Sequence, residues 1–181
     1  MPILIDRTGP IEDVWSRFGA DPSPSGLQEA HLILSPDQWR SDGEALLAAG
    51  ACVGLCLEPA DDPADIAGLL DRIDLVAVRF PAFTDGRGYS TARLLRQRYG
   101  WQGELRAVGD VLRDQMFYLA RCGFNTFDLK DGESVADALA GFGDFTQTYQ
   151  AAADHGPLFK RRQRSAPASP VVSSPSATPA R

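Results

Sequence analysis

Histidine and cysteine are scarce in this chain. Two histidines (His31, His155) and three cysteines (Cys52, Cys56, Cys122) among 181 residues form no Cys-x-x-Cys pair and no Cys/His cluster. The sequence therefore offers no zinc site and no iron–sulfur ligand set. Cys52 and Cys56 lie in ACVGLCLEP, an extended run that would hold their Cα atoms roughly 13 Å apart. That is beyond disulfide reach, and the thiols read as buried apolar groups. Long apolar runs are missing too. Nothing approaches the roughly 18 residues of a membrane span, and the N-terminus lacks the charged and apolar regions of a signal peptide. These absences predict a soluble, cytoplasmic protein with no membrane partner.

What is present is core-forming residues and acid. The chain is 44% hydrophobic, ample for one ordinary globular domain. Residues 1–159 hold 13 basic and 24 acidic residues, a net of −11, while residues 160–181 hold five basic residues and no acid. A body this acidic argues against nonspecific nucleic-acid binding. Against it stands one cationic island, residues 79–124, with eight arginines and four acids. Such an island invites an anionic ligand or partner.

From residue 31 the pattern alternates. Short apolar runs at 31–35, 52–58, 75–80, 104–108 and 125–130 read as strands, near-continuous in apolar character as strands covered on both faces are. Between them lie helical patterns: one after Ser35, a candidate N-cap, and others at 63–73, 90–99, 111–122 and 134–142. Five such βα units predict a parallel α/β domain over 29–150. The architecture is either an open Rossmann-like sheet or an incomplete TIM-like arc, since a full barrel needs eight units. Residues 1–28 read as an N-terminal hairpin or arm. Residues 160–181, basic and then rich in Pro, Ser and Ala, read as a disordered tail.

In parallel α/β folds the ligand site forms where the strands' carboxyl ends meet the following loops. That edge collects Glu58, Arg79, residues 81–89, Asp110, Asp128 and Lys130, with no comparable set at the other. The loop 81–89 is the leading candidate. Gly86 and Gly88 permit positive φ and close backbone approach. Ser90 as N-cap would make Arg93 the third helical residue, where a cation opposes the helix dipole. Arg87 and Arg93 would then hold an anion at the helix start, or Arg93 pairs with a carboxylate elsewhere. The loop is not a P-loop, lacking the lysine and following Ser/Thr.

Asp110 reads either as an N-cap or, with Asp85, as an acid–base group. Asp114, one turn beyond Asp110, makes a pair that would suit acid–base work, metal binding or plain capping and ion pairing. Arg106, a charge within a strand, needs a partner when buried, and Asp110 or Asp85 would serve. Tyr89, Phe117 and Tyr118 read as packing residues.

The string FPAFTDGRGYSTARLLRQRYGWQGELRAVGDVLRDQMFYLARCGFNTFDL resembles the signature of bacterial domain-of-unknown-function family 934. The likeness is densest over 80–128 and continues from ILIDRTG to about residue 149. The resemblance implies a cytoplasmic oxidoreductase or accessory component of assimilatory sulfite reduction and cysteine biosynthesis, with sulfite reductase as partner. It names no cofactor, and the residues show no flavin, nicotinamide, haem or cluster motif. An enzyme binding a small anionic or phosphorylated substrate at the strand ends is the alternative.

Overall fold

The computed structural model describes residues 3–17 and 30–145. The tail at 160–181 and residues 18–28 of the N-terminal arm lie outside the described residues. Among the described residues seven strands form one sheet: β1 (Ile3–Ile5), β2 (Trp15–Arg17), β3 (His31–Leu34), β4 (Cys52–Leu57), β5 (Leu75–Phe80), β6 (Glu104–Gly109) and β7 (Thr126–Leu129). Their order is β1-β7-β6-β5-β4-β3-β2. Only β1 runs antiparallel, against β7; every other pair is parallel. From β2 to β7 the strands follow chain order, without the reversal that defines a doubly wound sheet. Right-handed crossovers that all step one way put their helices on one face.

Those helices are α1 (Pro36–Gln38), which continues through a π turn (Trp39–Gly43) into α2 (Glu44–Ala48), α3 (Arg87–Gln97), α4 (Met116–Cys122) and α5 (Val135–Gly141). Ser35 caps α1: its hydroxyl accepts from the Gln38 amide and the Gln38 side chain accepts from the Ser35 amide, satisfying two otherwise orphaned donors. The amphipathic stretch expected at 63–73 is a 3-10 helix, Pro63–Arg72. It still buries Ile66 and Leu70, one apolar stripe serving the tighter turn as it would an α-helix.

The main core lies between sheet and helices. Alternate strand residues such as Val53, Leu55 and Leu57, Val76, Val78 and Phe80, and Leu105 and Ala107 pack there with Leu46, Leu95, Met116 and Leu119. The period of two puts the intervening residues on the helix-free face. There Leu75, Ala77 and Val108 form a smaller cluster with Trp15, Ile33 and Cys56.

The sheet is curled, and chain length requires it. Laid flat, edge strands β1 and β2 would stand six strand spacings apart, about 29 Å. The Ile11 amide donates to Leu4 O at 3.0 Å, and Trp15 already pairs with His31. Four residue steps reach at most ~14 Å. The edges must therefore approach each other, making the helix-free face an interior. Asp13, between the edge strands, meets Arg106 of β6 at 2.9 Å.

Candidate functional site

At the carboxyl end of the strands, two ion pairs organise the predicted loop. Asp85 takes both Nε (3.0 Å) and a terminal nitrogen (2.7 Å) of Arg87. These bonds, and that from the Arg87 amide, hold the Asp85 carboxyl below its ordinary range. Asp110 accepts from Lys130 Nζ at 2.5 Å and from the Phe83 amide at 3.0 Å. Its carboxyl too is lowered, chiefly by Lys130. The Asp110 side chain thus ties the 81–86 loop to the end of β7 and does not cap a helix. After it, Val111 and Leu112 lead into a 3-10 turn, Arg113–Gln115, and only then into α4.

Helix α3 begins earlier than its sequence suggests. Gly86 is the N-cap residue and Arg87 the first helical one, so Ser90 lies inside the helix and caps nothing. Gly86 has φ −88° and does not use the positive φ expected of it. Gly88 matters for space, because a Cβ there would come within 2.7 Å of the Phe80 ring. Gly109, at φ +102°, does lie in the left-handed region, and a Cβ there would meet Phe80 O at 2.4 Å. Close contact there lets the Asp110 amide donate to that same oxygen at 2.7 Å.

The structure does not bring all the expected site residues together. Asp85, Arg87 and Asp110 share the strand-end edge. Arg93 is exposed two turns along α3, where its Nε donates to Gln97 at 2.9 Å. Arg106 is on the interior face, its side chain 4% exposed. It pairs with neither Asp110 nor Asp85: its partners are Glu104, which accepts from Nε at 3.0 Å and Nη2 at 2.9 Å, and Asp13. Thr126 completes the group by donating to the same Glu104 oxygen at 2.8 Å. Asp114 is exposed and paired with Arg113.

Residues 86–103 contain four arginines and no acid. Arg96 is absorbed by structure, donating to the carbonyls of Gly123, Trp101 and Gly103. Arg93 and Arg98 are exposed and meet no carboxylate among the described residues; Arg98 stands over the Tyr99 ring. Leu94 of α3 and Tyr118 of α4 are exposed as well, and Tyr118 packs edge-on to Tyr89. This outer surface of α3 and α4 was not anticipated as a unit, though the acid-free stretch is its signal.

A cavity of about 550 Å³ lies at the opposite, amino-terminal edge of the parallel strands, where no polar set was expected. Asp6, Arg7, Gln97, Gln102, Phe124 and Asn125 line it. A smaller hollow of about 150 Å³ by the ends of β3 and β4 is walled by Asp37, Glu58, Asp61, Asp62 and Asp65. Among the described residues no group of three or more His, Cys, Asp or Glu is placed to hold a metal ion. No described helix is long and apolar enough to cross a membrane.

Fold and surface together define an α/β protein with one curled, mostly parallel sheet and an arginine-bearing helix on its outside. The chain belongs to the family of bacterial proteins of unknown function DUF934, whose family model matches residues 54–159. No curated protein matches the chain.

Proposed function

We propose that this protein serves the sulfite-reduction step of sulfur assimilation, as an accessory or electron-transfer partner that docks sulfite reductase through the outer face of α3. The pathway in this reading rests on the resemblance of the 80–128 signature to that family. On this reading the sheet is an incomplete TIM-like arc whose helices carry the docking surface. The observation that carries docking is that Arg93 and Arg98 are exposed with no carboxylate partner among the described residues, on a helix pair that also exposes Leu94 and Tyr118. Arginine and tyrosine are the residues over-represented where proteins meet. Unpaired guanidiniums draw an acidic surface and speed its approach. Catalysis at Asp85 and Asp110 has less support. Both carboxylates are ion-paired and held below their usual range, which makes them weak bases at neutral pH.

The test is a deletion strain grown on sulfite or on sulfide as sole sulfur source. Failure on sulfite alone is expected, with rescue by the wild-type chain and none by Arg93→Glu/Arg98→Glu. Purified wild-type protein should retain sulfite reductase in a pull-down, and the folded double variant should not. Equal growth of the deletion strain on both sources would overturn the pathway. Retention of sulfite reductase by the variant would overturn the docking face.

A further inference from the structure

The interior of the curled sheet carries charges that docking does not use. Strand register puts Cys56 beside Ala77, and Ala77 beside Arg106 and then Thr126. One step toward the carboxyl end, Arg79 stands beside Val108. Arg17 of β2 is in register with Ile33, and Ile33 packs on the interior cluster with Trp15 and Cys56. Three arginines from three strands thus face one volume above an apolar floor of Leu75, Ala77 and Val108.

Their partners differ. Arg106 is satisfied, with all three guanidinium nitrogens donating to Glu104 or Asp13. Arg79 Nε is 2.8 Å from Glu58 Oε1, yet it is buried without a well-directed hydrogen bond. Its contact with Glu58 is charge attraction, and the guanidinium also hydrogen-bonds with the Cys56 thiol, while Nε itself still lacks a directed acceptor. Arg17 makes no hydrogen bond or ion pair among the described residues.

We propose that the mouth of the curled sheet, between Arg17 and Arg79, binds a small oxyanion. The place is right for a ligand, because Arg79 lies near the carboxyl end of β5, the end at which βα folds bind. The chemistry fits because two guanidinium forks present paired, always-charged donors to oxygens of a sulfite, sulfate or phosphate group. Asp128 stands at the wall, half-buried, its carboxyl raised chiefly by that burial. Cys56 is a natural reporter. Its thiol is raised by burial, while Arg79 and Arg17 both pull it down. The site stands on this geometry alone and survives or fails independently of docking.

The test is calorimetric titration of the full chain with sodium sulfite, sulfate and phosphate at matched ionic strength. At least one should saturate a single site; affinity should fall tenfold or more in Arg17→Gln and Arg79→Gln and hold in Arg93→Gln. Comparing the three anions identifies the oxyanion. Alkylation of Cys56, followed by peptide mass spectrometry across pH, gives a second readout. A bound anion neutralises the guanidinium field, so the thiol should titrate higher and react more slowly, and this change should vanish in Arg17→Gln. If Arg79→Gln fails to fold in a thermal melt, Arg17→Gln, on the exposed edge strand, decides. No saturable binding to the wild type, or unchanged binding in Arg17→Gln, would overturn the site.

Discussion

Arg106 and Arg87 make the same kind of contact at different depths. Arg106 meets Glu104 and Asp13 at 2.9 Å with its side chain 4% exposed; Arg87 meets Asp85 at 2.7 Å with its side chain 63% exposed. The shorter pair is not the more consequential one. In water the attraction between two charges is largely cancelled by the solvation each gives up, and exposed pairs contribute little. In the interior a charge has no water to return to, so removing its partner costs the full desolvation of what remains. Depth, more than distance, separates a pair that holds the fold from one that shapes a surface.

Breaking the interior group should give the largest effect. Glu104→Ala strips Arg106 of two hydrogen bonds and Thr126 of its acceptor. A loss of about 3 kcal/mol is expected, read as a lowered urea midpoint with unchanged slope. Glu104→Leu combined with Arg106→Met removes both charges and should cost less than Glu104→Ala alone. A double variant as unstable as the single one would mean that the attraction itself, and not the stranded charge, carries the stability.

Asp128 sharpens the comparison from the other direction, as a half-buried carboxyl with no ion pair among the described residues. Burial raises it, opposed by Arg106 and Arg17 and assisted by Asp13 and Asp131. A carboxyl raised in the folded state binds its proton more tightly there than in the unfolded chain. Its contribution is therefore favourable below the ordinary Asp range and is lost as pH rises from that range through the raised value. Asp128→Asn should be more stable than wild type at neutral pH and should flatten this part of the profile. Thermal melts from pH 4 to 8 measure it, and a variant less stable at pH 7 would show that the ionised form is the one the interior holds.

The same contrast explains what could be read in advance. Strands β4 and β5 were plain in CVGLCL and LVAVRF because residues covered on both faces leave an unbroken apolar run. The start of α3 was misplaced. Ser90 is a strong capping signal, whereas Gly86, Arg87 and Gly88 are weak ones, and what fixes the first turn is the fit of Gly88 against the Phe80 ring. That contact is tertiary and overrides local preference. For Arg106, the nearer partner was within reach of a local rule: Glu104 is two residues back on the same strand, hence on the same face. Asp13 was not, since 93 residues separate it and only the curl of the sheet brings it close. The pairing of Asp110 with Lys130 likewise joins the ends of two neighbouring strands.

The smallest effect should come from Asp85→Ala, which frees Arg87 on the surface. The Arg87 side chain is 63% exposed and the Asp85 side chain 16%; with the cation in water, the thermal midpoint should stay close to that of wild type, in low salt and in high. What should change is local. Asp85 accepts from the Arg87 amide at 3.2 Å, and α3 has no side-chain N-cap of its own. Without that acceptor the first turn loses a stabilising negative charge at its positive end, so hydrogen exchange at residues 87–90 should quicken while β5 and β6 stay protected. A midpoint shift comparable to that of Glu104→Ala would erase the distinction between depth and distance, and would make this surface pair part of what holds the sheet together.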